Sequence, residues 1–526
     1  MSERIISPQP LAGPSLKERV NRLFLFLARE ENARPLALAL FAFGTGLMLL
    51  YKPFSQQESG DSAGYDYIAQ CILRGQVPYR DVVDIKTPGS MYLSALAMTV
   101  GHLLGVRDIV AVRLFQALLV GLLSVIIFAV ARIYLRNVLA ALIASVFPLL
   151  SYKFAEWTVV GTQPKLPMIL FGVLSLLLIA KDKPFSAGVT SMLAFLCWQP
   201  GLMFTGVAVL MFSRYLTSWR DGRALKVVIG AVVPLAIVLA YFYSRGALDD
   251  FWAWTITFTY SVFRPETQRG FSQSLTHFGH VMLRIYGVDI VLIGLSMAGF
   301  LTYGVERARA RLNGQGRSDL YRDAILIPPV IYFAFCMINM QAGPDLIPFI
   351  PFIGMFAAWF LVQVGQFISR RTSRTAASIS WDLLLPRTAL MLMVFISLGR
   401  GAGYRIPLGF TLQDEDRQFR VISDLLGPND KVYVHGSVEL LVLLNRPNLN
   451  PYTFLNQGID TFASARRSGD FSLILNEMES EQPKLVALSR LKTVASRDQL
   501  ERWVNDHYQK LGSFQNGDVY LRKSND

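Results

Sequence analysis

Charged residues are scarce in this sequence, and they are unevenly distributed. Asp, Glu, Lys and Arg make up 17% of the 526 residues, whereas a soluble protein has about a quarter. Segments 184–213, 324–344 and 346–369 contain none of them. A bilayer-spanning helix needs about 20 mostly apolar residues, and these segments lack the alternation of barrel strands. The composition therefore excludes an ordinary soluble protein and predicts an α-helical multi-pass membrane protein.

Cysteine is also scarce, and its pattern excludes a disulfide framework. The chain has three cysteines, an odd number, and two of them lie inside apolar segments. It has neither a nucleotide-sugar motif nor a glycine-rich phosphate loop. The net charge of +13 comes without a basic stripe interleaved with aromatic residues, so we expect no nucleic-acid partner. We attribute this charge to cytoplasmic loops.

The distribution of basic residues predicts the topology. Residues 1–34 are polar and basic, so we expect a cytoplasmic N-terminal segment. Residues 35–405 then form the transmembrane domain, with outer loops at about 52–89 and 245–289 if the later arginine clusters also face the cytoplasm. Residues 406–526 follow on the outer side as a soluble domain.

The number of spans stays open at about 10–12. Counting from the N-terminus agrees with the later basic clusters if residues 185–213 form one helix. Pro200 could instead split this segment into two helices. In that case residues 90–104, which are short for a full span, would lie at the membrane interface.

The last 120 or so residues combine strand and helix patterns. Short β-rich runs at 431–435 and 484–488, and a last strand at 518–521, are predicted from composition and turn residues. Residues 497–511 have the spacing of an amphipathic helix. We therefore expect a small C-terminal α/β domain.

The segment that indicates chemistry is residues 59–89 of the first outer loop. It holds four aspartates beside the membrane, and clusters of ionisable groups at such positions are functional hypotheses by default. A carboxylate there can act as general base on an acceptor hydroxyl. A lysine or arginine can hold a phosphate group. Asp61 and Lys86 could supply these two roles.

Three runs in this loop resemble a known family: Asp61-Ser62, Gly-Gln-Val-Pro-Tyr-Arg-Asp at 75–81 and Asp-Ile-Lys-Thr-Pro-Gly at 84–89. They are similar to the first periplasmic loop of GT-C fold glycosyltransferases, in the bacterial branch allied to protein mannosyltransferases and aminoarabinose transferases. The plan of the whole chain is also similar: many spans, a late outer loop and an extracytoplasmic C-terminal domain.

The resemblance implies roles for individual residues. Asp61 matches the base that activates the acceptor, and Asp66 is the second candidate. Asp84 and Lys86 match the acid and lysine that engage the donor phosphate. This sequence departs from some relatives in having Ile85 between the acid and the lysine.

The resemblance also implies the reaction. A sugar would pass, with inversion, from a polyprenyl-phosphate donor to a hydroxyl of a lipid, polysaccharide or protein acceptor. The site would face the periplasm at the bacterial inner membrane, in contact with membrane lipids. No cofactor is demanded, although carboxylates of the first loop could hold a divalent cation such as Mg²⁺ or Mn²⁺.

Other ionisable residues remain open between two interpretations. Glu156 could be a second acid that orients the acceptor or Lys86, or it could belong to an interfacial belt. Arg264 and Arg269 of the late loop, and Arg80 of the first, could contact the donor phosphate. The two arginines of the late loop could instead simply face lipid headgroups.

Several residues have an ordinary structural explanation. Lys165 can extend to the interface, and Asp345 can cap a helix. His277 and His280 are three residues apart but lack a third ligand for a metal. His435 is assigned no chemistry.

Two other functions stay open. A transporter or flippase of lipid-linked sugars would place ionisable groups near mid-membrane, contain internal repeats and form no covalent product. A non-catalytic subunit of a polysaccharide assembly complex would tolerate substitutions in the first loop.

Overall fold

The computed structural model describes residues 32–58, 60–214, 221–263, 269–313, 317–372, 380–466, 472–489, 497–514 and 517–523. A long helical bundle is followed by a small domain with one sheet. The bundle region consists, in chain order, of α1 (Ala33–Leu50), α2 (Gly60–Leu73), α3 (Gly89–Leu103), α4 (Asp108–Leu135), α5 (Val138–Leu150), α6 (Tyr152–Val159), α7 (Lys165–Ala180), α8 (Pro184–Cys197), α9 (Leu202–Arg214), α10 (Arg223–Ser244), α11 (Leu248–Trp252), a π-helical segment (Ala253–Phe263), α12 (Phe271–Tyr286), α13 (Ile290–Leu312), α14 (Ile327–Asn339), α15 (Ile350–Thr372) and α16 (Trp381–Ala402).

Among the described residues, seven helical segments are long and apolar enough to cross a membrane, and the bent pair α5–α6 makes an eighth. Three shorter apolar helices, α7 to α9, bring the candidates to eleven. The structure thus confirms the predicted helical multi-pass class.

Residues 185–213 form two helices, and the interpretation as one helix is wrong. The Thr205 hydroxyl donates to Ser191 Oγ over 3.0 Å, whereas residues 14 apart in one straight helix would be about 21 Å apart. The chain therefore reverses at Trp198–Gly201, where Pro200 follows the last turn of α8. Pro200 thus lies in the turn between two helices rather than at a kink within one helix.

Helix α3 lies along one side of the bundle. A Cβ on Gly89, at its start, would be 2.6 Å from the Leu196 carbonyl at the end of α8. At its other end, His102 Nε2 lies 2.6 Å from Asp108 Oδ1, at the start of α4. Arg107, next to Asp108, pairs with Asp416 of the C-terminal domain at 2.9 Å, and Gly89 ends the first loop. Both ends of α3 therefore lie on the side of the bundle that carries the first loop and the C-terminal domain. The interfacial alternative for residues 90–104 is the one that this geometry favours.

Close helix packing in the bundle depends on glycine. Cβ atoms on Gly188 of α8 and Gly230 of α10 would lie 2.1 Å from the carbonyl oxygens of Val227 and Phe185, respectively. The two helices therefore touch backbone to backbone at both positions. Small residues serve the same purpose in other membrane helix pairs.

The C-terminal domain, residues 411–523, contains α17 (Leu412–Ser423), β1 (Val432–His435), α18 (Val438–Leu444), α19 (Ile459–Arg466), α20 (Ser472–Glu481), β2 (Leu485–Leu488), α21 (Arg497–His507), β3 (Tyr508–Phe514) and β4 (Gly517–Arg522). The strand order is β1-β2-β4-β3. Strands β1 and β2 are parallel, and the other pairs are antiparallel. The predicted strands at 431–435 and 484–488 are confirmed.

The helix predicted at 497–511 is too long. It ends at His507, and residues from Tyr508 onwards pair with β4. Helical periodicity cannot reveal this end, because pairing with a later strand decides it.

The domain packs on the side of the bundle that carries the first loop and the 245–289 segment. Val83 N–H donates to Pro451 O over 2.8 Å, and Arg466 pairs with Asp250 at 2.7 Å. Asp289, just before α13, pairs with Arg400 close to the start of the C-terminal domain. Arg307 lies 18 residues further along, about 27 Å away, and pairs with Asp323 at 2.9 Å, so these basic residues mark the opposite side.

Candidate active site

A cavity of about 340 Å³ lies where the first loop, the bundle and the C-terminal domain meet. We call it the central cavity. Its charged lining residues are Asp61, Asp84, Lys86, Lys165 and Asp345. The first loop, the hairpin of α8 and α9, the π-helical segment and the C-terminal domain also contribute polar and aromatic residues to its wall.

Asp61 and Asp66 belong to the same helix but occupy different environments. Asp61 is in the first turn of α2, lines the central cavity and is exposed. A carboxylate at a helix N-terminus is stabilised by the helix dipole. Five residues further on, at about 100° per residue, Asp66 points into the protein and is fully buried.

Asp66 is one layer behind the cavity wall. Its carboxylate accepts a hydrogen bond from the Thr162 hydroxyl, and Thr162 Oγ1 is 2.5 Å from Ser94 Oγ. Burial, together with the charge of Glu58, raises the pKa of Asp66 well above its usual value. Thr162 lines the cavity, so this hydroxyl connects Asp66 with the cavity.

Asp84 and Lys86 form a turn whose backbone is fixed by three hydrogen bonds. Asp84 Oδ1 accepts the Lys86 N–H over 2.7 Å, and the Tyr79 hydroxyl donates to Lys86 O over 2.7 Å. The Gln199 side chain donates to Ile85 O, also over 2.7 Å. Burial raises the pKa of Asp84, and Lys86 opposes this rise. The intervening Ile85 does not prevent Asp84 and Lys86 from lining one cavity.

The central cavity also contains a lysine that sequence reasoning explained as interfacial. Lys165 Nζ lies 3.3 Å from Asp345 Oδ1 and 4.6 Å from the centre of the Trp198 ring. Asp345 also caps its helix by accepting the N–H groups of Gln341 and Ala342, so the predicted cap and the cavity position coexist. In the sequence, Lys165 could have been recognised as a charged residue at the N-terminal end of an apolar segment.

Among the other predicted residues that the structure describes, Glu156, Arg80 and Arg269 do not line the central cavity. Glu156 pairs with Lys153 at 2.6 Å, and Arg80 is held by Asp81 and by the carbonyl of Arg245. Arg269 donates to Met340 O over 2.7 Å, next to the lining residue Gln341. Arg264 lies outside the described residues.

Metal binding can be judged by the arrangement of ligand side chains. Within the described parts of the chain, no three His, Cys, Asp or Glu side chains are grouped closely enough to hold a metal ion. His277 and His280 are both in α12, and His277 Nε2 is 3.3 Å from the Gln341 carbonyl.

The C-terminal domain completes the cavity with a loop that sequence reasoning did not single out. Phe454, Asn456, Gln457 and Ile459 line the cavity. His435, to which no role had been assigned, accepts the Leu455 N–H at Nε2 over 2.9 Å. Nothing in the local pattern connects these residues with a membrane domain 300 or so positions earlier.

Comparison with known proteins gives a partial sequence match. No protein-family model matches the chain. A dolichol phosphate-mannose mannosyltransferase of Haloferax volcanii is 26% identical over 298 residues, which are 53% of this chain and 62% of that relative. The match thus spans less than two thirds of the relative's length.

Solved structures match nearly the whole chain. ArnT from Cupriavidus metallidurans bound to undecaprenyl phosphate has a TM-score of 0.59 at 14% identity, with 96% of this chain and 99% of that chain covered. Its apo state gives 0.60 at 15% identity, covering 95% and 98%. An oligosaccharyltransferase from Archaeoglobus fulgidus gives 0.50 at 11%, covering 93% and 74%. The chain therefore has the GT-C fold of membrane glycosyltransferases, as the first-loop motif predicted.

Proposed function

We propose that this protein is a glycosyltransferase that moves a sugar from a polyprenyl-phosphate donor to an acceptor hydroxyl in the central cavity. The observation that carries the proposal is the position of Asp61 and Lys86, a carboxylate and an ammonium group that line the same cavity. Two similar proteins support a lipid-linked donor. One is a dolichol phosphate-mannose mannosyltransferase, and the other is an ArnT whose structure contains undecaprenyl phosphate.

The proposed reaction is a single displacement. Asp61 takes the proton of the acceptor hydroxyl as its oxygen attacks the anomeric carbon of the donor sugar. The bond from that carbon to the phosphate oxygen breaks, and the polyprenyl phosphate leaves with the electron pair. Lys86 stabilises the charge that develops on the phosphate. One displacement inverts the configuration at the anomeric carbon.

The fixed turn at Asp84–Lys86 suits this role. Its backbone hydrogen bonds hold Lys86 in place before the donor arrives, so little reorganisation accompanies the reaction. Asp84 acts as a positioning residue in this scheme.

Loop charges support an orientation in the membrane. Arg307, Arg311 and Arg322 are on the side opposite the cavity, where the positive-inside rule would place the cytoplasm. The cavity and the C-terminal domain would then face the periplasm of a bacterial inner membrane. Accessibility of single cysteines to a membrane-impermeant thiol reagent tests this orientation.

The activity is tested with purified full-length protein, synthetic undecaprenyl-phosphate sugars and, as the source of acceptor, membranes from source cells that lack this chain. Mass spectrometry of the lipid follows the loss of the sugar. We expect Asp61→Asn to slow donor turnover about 10²–10⁴-fold, and Lys86→Gln about 10²–10³-fold. Asp249→Asn and Lys52→Gln, at exposed positions, are matched controls and should retain wild-type rates. Wild-type rates in both cavity variants would refute the assigned site.

A further inference from the structure

Gln163 is a buried carboxamide with an unused hydrogen-bonding atom at the cavity. Its side chain is 9% exposed and lines the central cavity. Its Oε1 atom is buried and accepts no hydrogen bond from the described residues. Leaving a buried polar atom without a partner is destabilising, so a ligand that donates to Oε1 would remove this penalty.

The turn that carries Gln163 is held against the helix of Asp61. Thr162 is bound to the Asp66 carboxylate. A Cβ on Gly161 would lie 2.9 Å from both Ser62 Cβ and Asp66 Oδ2. Ser62 is the neighbour of Asp61, so Gln163 is on the side of the cavity where an acceptor hydroxyl must meet its base.

The C-terminal domain places two more carboxamides on this side. Gly436 N–H donates to Thr453 O over 2.8 Å, and with His435 this bond anchors the start of the loop at 453–459. Phe454 Cε2 would be 3.6 Å from a Cβ on Gly64, one turn after Asp61. The loop therefore faces the N-terminal turn of α2.

The two carboxamides of this loop are available to a ligand. Asn456 and Gln457 line the cavity. Neither side chain has a hydrogen-bond partner among the described residues.

The chemistry of these groups fits sugar hydroxyls. Each carboxamide offers both an acceptor oxygen and NH₂ donors, which matches hydroxyl groups that donate and accept. The charged lysines that suit a phosphate, Lys86 and Lys165, come from the first loop and the bundle.

A peptide acceptor in extended form would be expected to pair with a free sheet edge. The outer edge of β1 is instead covered by the chain's own residues: Leu449 N–H donates to Val432 O over 3.0 Å, and the Asn448 side chain bonds both the N–H and the carbonyl of Val434. The nearest strand edge thus offers no pairing site.

We infer that Gln163, Asn456 and Gln457 form an acceptor subsite that recognises the hydroxyl groups of a glycan, so that the product contains a sugar-to-sugar bond. This inference rests on the proposed function and adds the acceptor class. The three carboxamides are specificity-determining residues that orient the acceptor sugar, while Asp61 takes its proton.

The test supplies membranes from source cells that lack this chain as acceptor, with an undecaprenyl-phosphate sugar labelled in its sugar. Wild type and the variants Gln163→Ala, Asn456→Ala and Gln457→Ala are compared. We expect each to raise the half-saturating amount of acceptor membranes about 2- to 12-fold, the effect of one neutral hydrogen bond. The KM for the donor should be unchanged. Gln509→Ala, on exposed strand β3 of the same domain, is the matched control.

The product distinguishes the acceptor classes. Linkage analysis should find the label on another sugar; label on an amino acid side chain, or on a lipid without sugar, would overturn the inference. A rise in donor KM with unchanged acceptor dependence would also overturn it. If no label is transferred although Lys86-dependent binding of undecaprenyl phosphate persists, the glycan acceptor is wrong. Loss of both the label transfer and the binding of undecaprenyl phosphate would instead refute the proposed function.

Discussion

Glu415 connects the C-terminal domain with the first loop, and its titration should control the stability of this contact. Its Oε2 accepts the Glu58 N–H over 2.9 Å, and the side chain is fully buried. Burial raises the pKa of Glu415 from 4.5 to about 8, although the Glu58 N–H opposes this. The charged groups that face it are Glu58 and Glu439, which raise the pKa, and Arg113, which lowers it.

The sign of the effect follows from proton binding. In the unfolded chain Glu415 loses its proton near pH 4.5, whereas the folded protein holds it up to about pH 8. Stability from this group is therefore complete below pH 4.5 and is lost as the pH rises through 8. At about 1.36 kcal/mol per pH unit, the interval corresponds to about 5 kcal/mol as an upper bound.

The substitution Glu415→Gln separates the charge from the hydrogen bond. Glutamine keeps an oxygen that can accept the Glu58 N–H but cannot ionise. We expect the unfolding temperatures of the variant and wild type to be closest at pH 5. The variant should exceed wild type by a margin that grows up to about pH 8 and then stays constant. The measurement is thermal unfolding in detergent, followed by tryptophan fluorescence, from pH 5 to 9.

The control is Glu501→Gln, which removes an exposed i, i+4 pair with Arg497. Such pairs contribute about 0.3–0.5 kcal/mol, so this variant should follow wild type at every pH. If the unfolding temperatures of Glu415→Gln and wild type change in parallel between pH 5 and 8, Glu415 is ionised in the folded protein over this range and the reasoning is refuted.

Two further substitutions test the packing around the cavity. Arg113→Met would leave the carboxylate of Glu58 buried without its partner at 2.7 Å. We expect a loss of about 3–5 kcal/mol in unfolding free energy; a matched Arg417→Met at an exposed pair should cost under about 1 kcal/mol. Gly161→Ala puts a Cβ 2.9 Å from Asp66 Oδ2 at φ +145°, so unfolding temperature and transfer rate should both fall, and unchanged values for both would contradict the geometry.

The bundle was predictable because the bilayer imposes a local rule. Uncharged apolar segments must form helices that satisfy their own backbone, and this identifies α10 and α15 without any partner. The strands at 431–435 and 484–488 were visible because turn residues bound short β-rich runs. The extent of β3 was missed, because its pairing with β4 decided where the helix before it ends.

Only part of the candidate site could likewise be predicted from the sequence. The first loop keeps Asp61, Asp84 and Lys86 within 26 positions, so a motif could indicate them. Lys165 and Asn456 join them only when α7 and the C-terminal domain close the cavity. Their residue types are unremarkable by themselves, and only their neighbours give them a role.

By itself the sequence determined the membrane class, the order of apolar segments and the acidic first loop, since hydrophobic length and charge act locally along the chain. Tertiary structure decided that the chain reverses its direction at Trp198–Gly201, between α8 and α9. It also decided that Asp61 faces the cavity while Asp66 does not, and that the C-terminal domain contributes to the cavity wall. These outcomes depend on contacts between residues far apart in the chain, and such contacts form only when helices pack and carboxylates exchange water for protein partners.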